Sequence, residues 1–139
     1  MQTIQEIEAE LIEEFSLFDD WTDKYQYIIE MGQTLPSLSE AEKIDENLVK
    51  GCQSKVWLVP SQENGLVVYR ADGDAIIAKG LIAMLIRVLS HHSPAEVVEA
   101  KLDFLAETGL EEHLSPNRAN GLSQMLKRMQ EFARAVVRG

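Results

Sequence analysis

The segment KVWLVPSQENGLVVYRADGDAIIAKGLIAMLIRVLS, residues 55–90, changes its period halfway along. Its first half holds two β-branched and aromatic runs, KVWLVP and LVVYRA, separated by SQENG. Asn64-Gly65 is the residue pair that a tight turn with positive φ requires, so the two runs read as a β-hairpin. Pro60 falls near the end of the first run, where an absent N–H is tolerated at a strand terminus or an edge. The second half, from Ala75, is apolar nearly all round and too long for a strand. It reads as a central buried helix, entered through Asp72 or Asp74 as cap. Gly80 inside it costs about 1 kcal/mol relative to alanine, a cost that a close approach to another backbone would explain.

Helical patterns flank this segment. Ile4, Ile7, Leu11, Ile12 and Phe15 recur at helical spacing between glutamates. Asp19 or Asp20 can cap a second helix with Trp21, Tyr25, Ile28 and Ile29 inward, ending near Gly32 because GQTLP carries a helix stop and then Pro36. SLSEAEKI reads as a short capped turn, and NLVK as a short third strand. In SPAEVV, Ser93, Pro94 and Glu96 form a capping-box start to a segment that Gly109 ends. SPNRANGLSQMLKRMQEFARAVV starts in the same way and carries the stripe Leu122, Met125, Leu126, Met129 and Phe132. Helices, a small antiparallel sheet and helices again define an α+β chain, and 139 residues suit one domain, residues 1–139.

Composition narrows the function classes. The net charge is −10 with a pI near 4.7, so a phosphate backbone is repelled and nucleic acid is a poor direct partner. Residues 1–23 carry only acidic side chains, whereas Arg118, Lys127, Arg128, Arg134 and Arg138 oppose a single acid, Glu131, in the last segment. The two ends read as complementary solvated faces, or the basic end as a docking patch. The longest apolar run is interrupted by Lys79 and Arg87, too short and too charged to span a bilayer. One cysteine excludes an internal disulfide, and the acidic start lacks the pattern of a secretory signal. Both favour a reducing cytoplasm.

Little else in the sequence carries chemistry. His91 and His92 are adjacent, and side chains adjacent on a helix point about 100° apart; with no paired cysteines either, a metal site is disfavoured. The end of a helix is the simpler place for these histidines. No glycine-rich phosphate loop is present. Asp72 and Asp74 read as caps, or as neighbours of the thiol. Cys52, in NLVKGCQSKVWLV, remains open to three readings: a small buried hydrophobe, an incidental surface thiol, or a nucleophile. Its neighbours Lys50, Gly51, Gln53 and Ser54 are polar or small, which places it at a loop tip. Gly51 allows close approach by a partner, and Lys50 or Lys55 could stabilise a thiolate.

The segment VKGCQSKVWLV resembles the active-site stretch of the SufE family of sulfur acceptors, which includes the CsdE branch. WTDKYQYIIEMGQTLP resembles that family's second helix and the glycine-to-proline segment after it, DAIIAKGLIAML its central helix, and HLSPNRANGL its C-terminal segment of the SRxxGL type. The four pieces keep the family order across roughly residues 20–130. The resemblance implies an α+β fold like that of the IscU scaffold, with Cys52 as the sulfur-accepting residue. Asp74 and Arg118 match positions linked to the cysteine's surroundings or to partner binding. It further implies a carrier that takes persulfide sulfur from a PLP-dependent cysteine desulfurase of the SufS or CsdA type and stimulates that enzyme. The carrier then passes sulfur to a Suf-type iron–sulfur scaffold. The chain itself would need no cofactor, since the PLP belongs to the desulfurase, and it would be a covalent carrier rather than an enzyme. Asn117 and Gly73 stand where many members have serine, which bears on hydrogen bonding around the site and on partner choice.

Two other classes compete with that reading, a non-covalent adaptor that would keep Cys52 for structure alone and an iron–sulfur scaffold. Inside the family, a CsdE-type acceptor would feed another sulfur or tRNA-modification pathway. An iron–sulfur scaffold would need several thiolates where this chain has one.

Overall fold

A computed structural model of the chain describes residues 2–52 and 54–139. Helices α1 (Ile4–Ser16) and α2 (Trp21–Gln33) lead through two short 3₁₀ turns, Glu40–Glu42 and Asp45–Asn47, into strands β1 (Val56–Glu63) and β2 (Leu66–Gly73). Helix α3 (Ile76–Leu89) comes next, then the short helices α4 (Pro94–Glu99), α5 (Phe104–Glu107) and α6 (Leu110–His113), and the long helix α7 (Pro116–Arg138). The fold is α+β.

The hairpin forms where the Asn64-Gly65 pair stands. Both residues have positive φ, 52° and 79°, the geometry of a two-residue turn whose twist matches the strands. The strands therefore continue to the turn, and SQE belongs to β1. Pro60 is thus mid-strand, paired opposite Tyr69. Its missing N–H is harmless for an edge reason: the Tyr69 amide turns away from β1 and donates to Ser90 Oγ at 2.9 Å, so this pair exchanges no ladder bonds. NLVK contributes a single bridge, Leu48 to Trp57, with the Val49 amide on the Val56 carbonyl at 2.8 Å, and the sheet has two strands. Asn47 is already committed to the preceding 3₁₀ turn, which leaves too few residues for a third strand.

Helix α1 starts on a Thr3–Glu6 capping box and buries Ile4, Ile7, Leu11 and Phe15. Helix α2 is capped by Asp20. The helix ends at Gln33, near Gly32 as expected, but Gly32 is not its terminator. The residue is buried within the helix, and a Cβ there would stand 2.7 Å from the Gly80 nitrogen. A Cβ on Gly80 would stand 2.2 Å from the Ile28 carbonyl oxygen. The two glycines let α2 and α3 touch backbone to backbone, the close approach expected at Gly80. One apolar cluster extends from Ile4 to Ala133, with Ile28, Met84, Leu85, Val88 and Leu89 of α2 and α3 fully enclosed.

Neither expected aspartate caps α3, whose N-cap is Ala75 without a side-chain bond. Buried Asp72 is occupied at longer range. Its Oδ2 accepts from the Leu38 amide at 3.1 Å and its Oδ1 from the Gly73 amide at 2.9 Å, and Lys79 and Lys43 lie 3.4 and 3.5 Å away. The Ser93 box does open α4, but that helix stops at Glu99. Gly109, at φ 80°, lies after α5. His91 and His92 come after α3 and line the free edge of β2, through Val67 amide to His92 carbonyl (2.9 Å) and His91 amide to Val67 carbonyl (2.8 Å).

Candidate functional site

Cys52 lies in a loop whose two ends are fixed by β1. On one side Val49 is buried and bonded to Val56. On the other, the Lys55 amide donates to Asp74 Oδ1 at 3.0 Å and the Asp74 amide donates to the Lys55 carbonyl at 3.1 Å. Asp74 therefore sits at the base of the Cys52 loop and shapes it through Lys55. Gly51 takes φ 91°, open to glycine at no steric cost. A Cβ at Gly51 would also approach Gln124 Cγ to 2.9 Å.

Helix α7 forms the surface on which this loop rests. Ser115 caps it by accepting the Arg118 amide, and Pro116 fills its first position. One face then presents Asn120, Gln124 and Arg128, at the four-residue spacing that aligns side chains along a helix. Asn120 Nδ2 donates to the Gly51 carbonyl at 2.8 Å, Gln124 packs against Gly51, and Arg128 Nη1 donates to the Leu48 carbonyl at 3.1 Å. Beside Asn120, Gly121 leaves room for the thiol: Cys52 Sγ is 3.8 Å from its carbonyl oxygen and would be 3.4 Å from a Cβ on it.

The thiol borders a cavity of about 460 Å³ between α3 and α7. Ile77, Leu81 and Ile82 supply one wall, Leu122 and Met125 the other, while Ser54, Asn117 and Arg118 contribute polar groups. Ile76, at the same cavity, is 68 % exposed. Cys52 is half-buried, and burial pushes its thiol pKa up because the thiolate loses hydration. Among the described residues no cation offsets that shift, and Lys50 is exposed.

Cys52, Ser54 and Arg118 are thus brought to one cavity, with Gly51 and Asp74 shaping the loop and Lys50 beside it in solvent. Gln53 lies outside the described residues. Sequence reasoning missed Asn120, Gly121 and Gln124, and it named Arg128 only as part of the basic C-terminal face. A signal existed: Asn-Gly inside a helical pattern pairs two poor helix formers with no helix end nearby. Among the described residues no group of three His, Cys, Asp or Glu could hold a metal ion, and no helix is long and apolar enough to cross a membrane.

The architecture sets one thiol in a loop beside a largely apolar cavity on an α+β frame. The SufE family, described as an Fe-S metabolism associated domain, matches residues 9–133, and the chain belongs to it. An uncharacterized SufE-like protein of Rhizobium meliloti (strain 1021) is 38 % identical over 129 residues, 89 % of this chain and 92 % of that one. One of Synechocystis sp. is 39 % identical over 131 residues, 94 % of this chain and 82 % of that one. The solution structure of a hypothetical protein from Thermus thermophilus shares the fold, with a TM-score of 0.78 at 24 % identity over 96 % of this chain and 97 % of that one. Membership carries a sulfur-acceptor role in iron–sulfur metabolism.

Proposed function

We propose that Cys52 accepts sulfane sulfur from the persulfide of a PLP-dependent cysteine desulfurase and carries it to an iron–sulfur assembly scaffold. The observation that supports this most is the thiol itself: the chain's one cysteine, at a loop tip, beside a cavity far larger than a thiol needs. The Cys52 thiolate attacks the outer sulfur of the desulfurase persulfide. A new S–S bond forms on Cys52 while the donor's S–S bond breaks, and its electron pair leaves on the desulfurase cysteine. The proton stays with the transferred sulfur, and no net oxidation occurs. The chain is a covalent carrier, and the PLP that frees sulfur from cysteine belongs to its partner.

The resting pose favours storage over reaction. Burial keeps the thiol protonated at neutral pH and so unreactive, because the thiolate is the nucleophile. Docking must therefore move Cys52 out of the cavity towards a site where the thiolate is favoured. Exposed Ile76 and Arg118 beside the cavity give the partner an apolar and a cationic contact on the same face. The test is alanine production by a SufS-type desulfurase with wild-type chain and with Cys52→Ser. Wild type should stimulate several-fold and the variant should not; equal stimulation would favour a non-covalent adaptor.

A further inference from the structure

We propose that Asn120 is the latch that keeps the Cys52 loop on α7, a positioning residue that sets how readily the thiol leaves its cavity. The inference rests on the acceptor reading of Cys52 but concerns a residue that reading does not use. The loop's ends cannot move far, because Val49 is bonded to Val56 and Lys55 is paired with Asp74. Movement of the thiol is therefore a movement of Gly51 and Cys52 relative to those two anchors. Within that span the Gly51 carbonyl immediately precedes Cys52, and Asn120 Nδ2 donates to it at 2.8 Å. The contact of the thiol itself is far weaker, 3.8 Å from Sγ to the Gly121 carbonyl oxygen.

Three features suit Asn120 to holding and releasing. It is exposed, so a broken bond leaves both groups to water and release carries no burial penalty. It stands in the second turn of a helix whose start is fixed by the Ser115 cap and Pro116, so the donor is held on a rigid base. It is followed by Gly121, so asparagine and glycine together occupy the part of α7 that faces the loop, where alanine or leucine would favour the helix more. Gln124, one turn on, packs against Gly51 and steers it without a bond of its own to that carbonyl.

The experiment reads Cys52 alkylation by iodoacetamide in the free, full-length protein, followed as intact mass, for wild type, Asn120→Ala, Asn120→Asp and Ser123→Ala. Asn120→Asp keeps the side chain's shape but replaces the donor with an oxygen that repels the Gly51 carbonyl. Loss of one exposed hydrogen bond predicts alkylation about three- to tenfold faster in both Asn120 variants, with Asn120→Asp at least as fast as Asn120→Ala. Ser123→Ala, exposed on α7, should match wild type, and thermal midpoints should stay within a few degrees. Wild-type alkylation rates in both Asn120 variants would overturn the latch. Alkylation does not depend on sulfur transfer, so that failure would leave the acceptor role standing. Absence of sulfur on Cys52 after reaction with a desulfurase would remove the acceptor role and leave the latch.

Discussion

Lys55 and Asp74 hold each other through two hydrogen bonds, amide to carboxylate at 3.0 Å and amide to carbonyl at 3.1 Å, three residues beyond Cys52. The carboxylate half of this pair can be removed by mutation. Asp74→Ala should loosen the base of the loop and speed Cys52 alkylation about two- to tenfold, while Asp74→Asn, which keeps an acceptor oxygen, should stay near wild type. Asp74 is exposed, so thermal stability should change little in either variant. Wild-type alkylation in Asp74→Ala would show that the loop is held elsewhere.

The thiol should titrate late. Burial raises the Cys52 pKa above its ordinary value, so the alkylation rate of the free protein should still be rising at pH values where free cysteine, with a pKa of about 8.5, has levelled off. Bound desulfurase should move the profile down by drawing the thiol out of the cavity. A free-protein profile that levels off below pH 8 would mean that a cation, not burial, governs the thiol.

Asp72 couples stability to pH. Burial pushes its carboxyl up, but the amides of Gly73 and Leu38 and the Lys79 ammonium outweigh it, and the net pKa lies below the ordinary 3.8. A depressed folded pKa means stability that is complete above 3.8 and is lost as pH falls through 3.8 towards the folded value. Asp72→Asn should therefore cost about 1–3 kcal/mol near neutrality, and the difference from wild type should shrink below pH 4 in urea unfolding. A difference that does not change with pH would assign the cost to hydrogen bonding alone.

Gly80 gives the largest expected loss of stability. A Cβ there meets the Ile28 carbonyl oxygen at 2.2 Å and the Ile28 carbonyl carbon at 2.8 Å, and backbone of a packed helix cannot yield as the far end of a flexible side chain would. Gly80→Ala should cost about 3 kcal/mol or more and lower the urea midpoint. A variant as stable as wild type would mean that α2 and α3 can part without loss.

Local features were legible where a residue acts on its own neighbours. Asn64-Gly65 announced the turn, Ser93 and Ser115 announced helix starts, and Gly80 announced a tight contact. Reading failed where local chemistry serves a distant purpose. Gly32 ahead of Pro36 placed the end of α2 correctly, at Gln33, but not its own role: its missing side chain is used by α3. Asp72 ahead of an apolar run looks like a cap, yet it holds the Leu38 amide and two lysines. The place of Cys52 in a loop was legible from its polar neighbours. The surface beneath it was not: Asn120-Gly121 inside a helical pattern marks an anomaly, but the two residues meet the loop across 69 residues and their partner cannot be named locally.

The most direct test of the central claim is intact-protein mass spectrometry after incubation with a SufS-type desulfurase, PLP and cysteine, without reductant. Sulfur transfer to Cys52 should add sulfur mass to the wild-type chain, absent in Cys52→Ala and removed by a reducing agent. No added mass with a desulfurase that is active and stimulated by this chain, or added mass that persists in Cys52→Ala, would contradict it.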